Sequence, residues 1–345
     1  MVKIRKNKTN RQRLIFRVGC FGAAFVFAMS LLLHKVSITE TTNINTAVAS
    51  FQSPLMYGTK SGGRQTAQLV KDAIDSGFRH IATGGHHQAH NESGVGTGWK
   101  DSLVPREELF LQTCFVPWDG NDFQKQATDP ESTPASIEEQ VRLSIQTSLR
   151  NLQTNYLDAV LFHNFRAKLY AYDEMMKAWR VLEDYVKQGT IRYLGMTSVH
   201  DAAYLERLMS DATVKPSIIQ NRFHSNRGYD VEMHEAFMKH KLQVQRFWLL
   251  NGSSGGGRKN SEMAGQKNLT PAQLLLAFVM SLGSQTCLVG THTIEHMKQD
   301  VTISKCYNSV FSDLDGDDKE RKEYATKLGM KPKIWTHDNN IKQNT

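Results

Sequence analysis

The chain has 345 residues, which is enough for one large α/β domain or two ordinary ones. Its composition, 40% hydrophobic and 22% charged, is globular and excludes a disordered or collagen-like chain. The net charge of +8 comes almost entirely from the first 17 residues, so the remainder is close to neutral and gives no reason to expect nucleic-acid binding.

A basic tail followed by an apolar segment begins the chain. Residues 1–17 contain seven basic residues and no acidic one, and residues 18–33 contain no charge. The apolar run approaches the length of about 20 residues that crosses a bilayer. We expect an uncleaved signal anchor, with a cytosolic N-terminus and a lumenal body in the ER or Golgi. A cleaved signal peptide, which would send the body along the secretory pathway, is the alternative.

Cysteines and glycosylation triplets say little about the compartment. The four cysteines have no paired spacing, so they imply no disulfide framework. The Asn-x-Ser/Thr triplet begins at Asn91, Asn251 and Asn268, which is weak support for a lumenal body.

After a polar stem at residues 34–53, strand-like and helix-like segments alternate eight times. The predicted strands are Leu55–Thr59, Phe78–Thr83, Leu109–Phe115, Leu157–His163, Tyr193–Ser198, Ser217–Phe223, Gln243–Leu250 and Thr286–Thr291. The predicted helices are Ser61–Gly77, Glu92–Leu103, Ser136–Leu152, Tyr172–Lys187, Ala202–Asp211, Val231–Lys241, Thr270–Leu282 and Ile294–Val301. A long Gly/Ser-rich loop is expected at residues 251–268, and an exposed charged helix at Lys319–Lys327.

Eight such units predict a (β/α)₈ TIM barrel over residues 54–310, followed by a C-terminal helix and tail at 311–345. A doubly wound open sheet is the alternative, although the chain lacks the Gly-x-Gly-x-x-Gly turn of many such folds. In a barrel, chemistry resides at the C-terminal ends of the strands. His163 closes the buried fourth strand, so it is either a functional residue or a hydrogen-bonded core histidine.

Several motifs, spread from Pro54 to Val301, resemble the aldo-keto reductase family. They are Gly58-Thr-Lys, Asp75-Ser-Gly-Phe-Arg-His-Ile, Val104-Pro-Arg-Glu-Glu-Leu-Phe, Ser148-Leu-Arg-Asn-Leu with Tyr156-Leu-Asp, Gly189-Thr-Ile-Arg-Tyr-Leu-Gly and Thr270-Pro-Ala-Gln. Gln220-Asn-Arg-Phe, Phe247-Trp-Leu-Leu and Gly290-Thr-His-Thr-Ile-Glu-His-Met are most similar to a fungal and algal branch. The resemblance implies the same barrel and NADPH-dependent reduction of aldehydes and ketones.

The family uses a tyrosine acid supported by lysine, aspartate and histidine. By resemblance, the aspartate position is Ala82, the tyrosine position is His90 and the lysine position is Cys114, whereas the histidine is kept as His163. Three of four catalytic positions therefore differ in type, and His90 and His163 are the catalytic candidates.

The resemblance also implies cofactor-binding positions for NADP(H). Thr197, Ser198 and Gln220 would hold the nicotinamide amide, Phe247 would stack on the nicotinamide ring, and Gly290, Thr291 and His292 would meet the adenosine phosphate. The last three residues include no lysine or arginine, which predicts weaker recognition of the 2′-phosphate.

Three functions remain open from the sequence. The first is a barrel that binds a nucleotide or a small carbonyl compound with weak or no reduction, and the second is an active carbonyl reductase with His90 as the acid. The third is a barrel binding zinc or copper through imidazole and thiolate groups. Its ligands would come from His86, His87, His90, His163 and Cys114. The sequence leaves the oligomeric state open.

Overall fold

Eight parallel strands form the centre of the computed structural model, which describes residues 51–60, 62–86, 89–117, 136–164, 171–250, 261–283, 285–311 and 319–330. The strands are β1 (Leu55–Gly58), β2 (His80–Ala82), β3 (Phe110–Phe115), β4 (Leu157–His163), β5 (Ile191–Thr197), β6 (Ile218–Arg222), β7 (Gln243–Phe247) and β8 (Gln285–Val289). Each strand pairs with the next and β8 pairs with β1, so the sheet is a closed barrel. The predicted barrel is confirmed, and the open-sheet alternative is wrong.

Helices follow the strands along the chain. They are α1 (Thr66–Asp75), α2 (Glu92–Asp101), α3 (Ile137–Asn151), α4 (Tyr172–Lys187), α5 (Ala202–Asp211), α6 (His234–Lys239), α7 (Ser261–Gln266), α8 (Pro271–Met280), α9 (Ile294–Val310) and α10 (Lys319–Lys327). Short 3-10 helices lie at Gly63–Gln65, Arg106–Glu108 and Ser225–Met233.

Side chains that accept hydrogen bonds from free backbone N–H groups fix the N-terminal starts of α3 and α8. Ser136 accepts a hydrogen bond from the Glu139 N–H at the start of α3. At α8 the Thr270 hydroxyl accepts from the Gln273 N–H and the Gln273 side chain accepts from the Thr270 N–H, with Pro271 at the first position. This capping box stabilises the start of a helix by about 1 kcal/mol.

Two buried polar side chains of α2 form hydrogen bonds that join this helix to its neighbours. Glu92 of α2 accepts hydrogen bonds from the hydroxyls of Thr113 (2.6 Å) and Ser148 (2.8 Å), joining α2 to β3 and α3. The indole of Trp99 donates to the Leu152 carbonyl at 2.8 Å. Because buried polar groups cost free energy when unpaired, these bonds specify how the helices dock.

The predicted helix Val231–Lys241 is confirmed in part, because α6 spans His234–Lys239 and residues 231–233 belong to a 3-10 segment. The chain forms the 3-10 segment Ser225–Met233, in which Gly228, Tyr229 and Asp230 have φ near +57°. Asp230 is held there because its carboxylate contacts the Arg246 guanidinium and accepts from Asn221 at 2.8 Å. A buried polar network therefore fixes the turn just before the predicted helix.

Three further expectations near the C-terminus need correction. The predicted loop at 251–268 contains α7, whose Met263 and Ala264 are buried, while residues 251–260 lie outside the described residues. The predicted short helix Ile294–Val301 continues to Val310 as α9. The expected exposed helix α10 buries one face, because Tyr324 packs on Phe278 and Phe311.

The basic tail at 1–17 and the apolar segment at 18–33 lie outside the described residues, as does nearly all of the stem at 34–53. Within the part of the chain that is described, no helix is both long enough and apolar enough to cross a bilayer.

Candidate active site

A layer of glutamine side chains crosses the interior of the barrel and shows which strand residues point inward. Gln112 on β3 and Gln245 on β7 exchange two amide hydrogen bonds of 2.8 and 2.7 Å, and Gln220 on β6 donates to Gln245 at 2.8 Å. Since side chains alternate along a strand, residues two positions further along also face the interior. Those positions lie nearer the C-terminal ends of the strands, the end that we call the mouth.

Three of the predicted site residues are neighbours at the mouth. Strand pairing aligns His163 with Thr197 and Thr197 with Gln220. Cys114 follows Gln112 by two positions, and Phe247 follows Gln245 by two, so both belong to the inward-facing set. The barrel therefore brings together residues that are up to about 130 positions apart in the chain.

His90 reaches the same region from the segment before α2. Its Nδ1 lies 3.4 Å from the Thr59 hydroxyl after β1. Its ring packs against Gly84, where a Cβ would be 3.2 Å from the imidazole and 3.6 Å from the Cβ of Cys114. A side chain at Gly84 would therefore press on the His90 ring and touch Cys114.

Both catalytic candidates are held in the neutral state. Burial, assisted by the charges of Lys60, His86 and His163, lowers the pKa of His90 to about 4. Burial, followed by the effects of His86 and Lys60, also lowers the pKa of His163 to about 4. At neutral pH each imidazole is a neutral hydrogen-bonding group, which argues against an imidazolium of His90 as the proton donor.

Ala82 and Cys114, which only the resemblance assigns to catalytic positions, carry no group that could tune an acid. Ala82 ends β2 and pairs with Gln112, and Cys114 lies next to His90. Burial raises the pKa of the Cys114 thiol, with the charge of Glu92 adding to the effect. The thiol therefore stays protonated, and a protonated thiol is a poor metal ligand.

The metal-binding alternative receives no support from the described residues. Among them no group of three or more His, Cys, Asp or Glu side chains is arranged to hold a metal ion. Of the five proposed ligands, His87 lies outside the described residues.

The side of the mouth assigned to the nicotinamide has unused hydrogen-bonding capacity. The hydroxyl of Thr197 is buried, with the residue 3% exposed, and has no hydrogen-bond partner among the described residues. Gln220 uses its amide N–H on Gln245, which leaves its carbonyl oxygen as an acceptor. Ser198 has φ +58°, and its backbone N–H donates to the backbone carbonyl of Gln220. This bond fixes the turn after β5 to β6. These groups fit a carboxamide, which both donates and accepts hydrogen bonds.

The turn after β8 lies against β1. A Cβ at Gly290 would be 3.0 Å from the Gly58 carbonyl oxygen, so the close approach favours glycine. The Tyr57 hydroxyl donates to the Thr291 carbonyl at 3.0 Å. His292 is exposed and lines the same shallow surface depression as Lys60. The three predicted phosphate-binding residues therefore form one turn beside β1.

Two cations at the mouth were missed by the sequence analysis. Arg222, at the end of β6, places its guanidinium carbon 4.4 Å from the centre of the Trp248 ring and 5.8 Å from that of Phe247. Lys60 places its ammonium 5.6 Å from the centre of the same indole. Arg222 lies two positions after Gln220, so strand alternation alone could have identified it.

Comparison with known proteins agrees with this architecture. The model of the aldo/keto reductase family matches residues 54–244. A glyoxal reductase from Bacillus subtilis is 31% identical over 253 residues, covering 72% of this chain and 82% of the relative. A methylglyoxal reductase DkgA from Yersinia pestis is 28% identical over 224 residues, covering 64% and 72%.

Solved structures share the fold at lower identity. An aldose reductase from Giardia lamblia superposes with a TM-score of 0.61 at 18% identity, covering 81% of this chain and 93% of that one. An aldo/keto reductase from Brucella melitensis has a TM-score of 0.59 at 22% identity, covering 74% and 94%. The roles given to individual site residues stay predictions, but the match along the barrel is decisive for the family. The chain belongs to the aldo-keto reductase family.

Proposed function

We propose that the barrel binds NADP(H) and a small carbonyl compound or nucleotide at its mouth, and that it reduces carbonyls weakly or not at all. The observation that carries this proposal is a contrast between the two sides of the mouth. Thr197 and Gln220 offer unused hydrogen-bonding groups where the family holds the nicotinamide. Ala82 and Cys114 occupy the positions at which the family tunes its proton donor.

The physical reason for weak turnover is the missing acid. NADPH, when bound, supplies hydride for carbonyl reduction. The carbonyl oxygen then needs a proton from a positioned group, and such a group typically contributes about 100- to 10,000-fold to the rate. His163 can orient the oxygen through a neutral ring N–H, but a neutral imidazole is a very poor proton donor.

An active reductase with His90 as the acid is the second candidate. His90 lies in the mouth beside Cys114, so its position suits the role. Its pKa of about 4 means that the donor form accumulates only in acid. This candidate therefore requires a rate that rises steadily from pH 7 toward pH 4 and is lost in His90→Phe.

NADPH titration of the full chain by calorimetry tests the cofactor half of the proposal. We expect saturable binding that Thr197→Val weakens about 10-fold, because the variant loses a buried hydrogen bond to the ligand. Thr302→Val, on the exposed side of α9, is the matched control and should bind like the parent. A parent chain without affinity for NADPH, or equal affinities in both variants, would refute the assignment.

We further propose that residues 18–33 anchor the barrel to a membrane, with the barrel on the lumenal side. The uncharged apolar run and the seven basic residues before it support this orientation. Of the triplet asparagines, Asn91 caps α2 by accepting from the Gly94 N–H, whereas Asn268 is exposed after α7. A glycan is therefore expected on Asn268 rather than on Asn91.

Expression of the full chain in a secretory host tests this topology. We expect the chain to stay in the membrane pellet after alkaline washing, and to lose mass on glycosidase treatment. Asn268→Asp should remove that mass, since aspartate keeps the size and tolerates the φ of +55° at this position. An unglycosylated chain released by alkali would exclude a lumenal, anchored barrel.

A further inference from the structure

The mouth carries positive charge without a compensating carboxylate among the described residues that form it. Lys60 and Arg222 are both exposed, and neither is paired with a described acidic side chain. The aspartate that the family places at the end of β2 is Ala82 here. The neighbouring imidazoles of His90 and His163 are neutral at pH 7, so they add no charge to that of Lys60 and Arg222.

The two cations converge on one aromatic side chain. Lys60 follows β1 and Arg222 ends β6, yet both lie over Trp248, at 5.6 and 4.4 Å from its ring centre. Cation–π attraction holds each of them at about 1 kcal/mol or less when exposed, while their like charges repel one another. An anion beside the indole would replace that repulsion by two charge-assisted hydrogen bonds.

The pair lies at the reacting end of the mouth rather than at its far edge. Arg222 also contacts Phe247, the ring assigned to stack on the nicotinamide. Lys60 is close enough to His90 and His163 for its charge to act on both imidazoles. A ligand group between the two cations would therefore belong to the compound whose carbonyl meets His163.

We propose that Lys60 and Arg222, arranged around Trp248, form a recognition site for the carboxylate of an anionic carbonyl compound such as a 2-oxo acid. This inference rests on the proposed function, because it names the substrate class of the same mouth. Lys60, after β1, and Arg222, at the end of β6, would then select the ligand by its charge. Neutral aldehydes would bind less tightly than anionic carbonyl compounds.

Calorimetry with oxalate and oxamide tests the site without any turnover. Oxalate is a two-carbon dianion and oxamide is its neutral analogue, so the pair isolates the contribution of charge. We expect the full chain to bind oxalate at least 10-fold more tightly than oxamide, in the presence and in the absence of saturating NADPH. Equal affinity for the two compounds, or no binding of oxalate, would overturn the proposal.

Charge-removing variants locate the binding. Arg222→Gln and Lys60→Gln should each weaken oxalate binding about 10-fold, and Arg222→Lys should weaken it less because the charge is kept. Lys187→Gln, at the C-terminal end of α4 on the opposite face of the barrel, is the control and should change nothing. Unchanged oxalate affinity in both charge-removing variants would place the anion elsewhere and reject the site.

The cofactor's own phosphates are the competing occupant. If they occupied the site, NADPH would exclude oxalate and Arg222→Gln would weaken NADPH binding, a result that would overturn the substrate assignment. Failure of NADPH to bind while oxalate still binds would instead leave the anion site standing and refute the proposed cofactor role. The two proposals can therefore fail separately.

Discussion

Protonation of His90 and His163 makes the stability of the barrel depend on pH. Each has a folded-state pKa of about 4, below the ordinary value of 6.5. The unfolded chain therefore binds protons first, so stability present above pH 6.5 is lost as the pH falls toward 4. Burial of a neutral imidazole is the cause, and the same burial keeps the mouth unresponsive to pH near neutrality.

We predict that His163→Gln makes unfolding less sensitive to acid. Between pH 7.5 and 5.5 the parent should lose about 1 kcal/mol of unfolding free energy through this histidine, and the variant should not. Urea denaturation at the two pH values measures the difference. His296→Gln, on the exposed face of α9, is the control and should keep the parent's pH dependence; a loss of equal size in His163→Gln would contradict the burial argument.

The pKa of Asp300 on α9 is raised, so its contribution to stability changes with pH in the direction opposite to that of the histidines. This residue is 5% exposed, has no hydrogen-bond partner or ion pair among the described residues, and burial raises its pKa to about 7. The folded state keeps the proton longer than the unfolded state, so stability from this group is present below about pH 4 and declines as the pH rises to 7. Deprotonation leaves an unpaired buried charge.

Asp300→Asn should therefore stabilise the barrel at pH 8, by about 1–3 kcal/mol, and the gain should shrink as the pH falls and become small below pH 4, at pH 3.5. Thermal unfolding at the two pH values checks this. Asp101→Asn, at the exposed end of α2, should leave the melting temperature unchanged at both. Equal behaviour of the two variants at pH 8 would mean that Asp300 is solvated in the folded protein.

At the scale of elements, α10 is an integral part of the core. Its Tyr324 is 0% exposed and its ring lies 4.9 Å from Phe278 and 5.7 Å from Phe311. Apart from the buried Arg321, the charged residues of α10 lie on its outer side, which is why its composition suggests an exposed helix. One aromatic residue per helix is too sparse a signal to indicate docking.

Tyr324→Ala should cost about 3–5 kcal/mol of unfolding free energy, the usual cost of removing a buried aromatic ring. Chemical denaturation of the full chain measures it, with Lys319→Ala at the exposed start of the same helix as the control. A loss below about 1 kcal/mol would show that α10 is only loosely docked.

Local sequence patterns predicted the barrel well because buried parallel strands are short apolar runs and the helices between them are amphipathic. They did not indicate the turn at residues 228–230, where three residues have positive φ and Asp230 is held by Arg246, Asn221 and His200. Such a network joins residues from separate elements, so a local sequence pattern cannot predict it. The same holds for Lys60, because its contact with Trp248 joins the ends of β1 and β7, which are far apart in the chain.

The strand-end rule located His163, Thr197, Gln220 and Phe247 from the sequence, since parallel strands deliver their C-terminal residues to one face. Protonation states could not be predicted in the same way. The pKa values near 4 arise from burial and neighbouring charges, which only the folded arrangement specifies.

The whole molecule combines a nearly neutral barrel with a strongly basic N-terminal tail. Within the barrel, Lys60 and Arg222 place positive charge at the mouth around Trp248. By resemblance, Ala82 and Cys114 take the family's aspartate and lysine positions, and on the proposed function this mouth is suited to holding an anionic ligand rather than to proton transfer. We therefore expect the protein to bind NADPH and its ligand but to reduce carbonyl compounds slowly or not at all.

NADPH consumption by the full chain is the measurement that tests this separation most directly. Glyoxal serves as the substrate, the glyoxal reductase from Bacillus subtilis is assayed alongside, and NADPH binding is measured on the same samples. We predict bound NADPH with consumption at least about 100-fold slower than that of the relative, as expected for a missing proton donor. Consumption at the relative's rate near pH 7 would contradict the proposal and show that the altered mouth still supplies a competent acid.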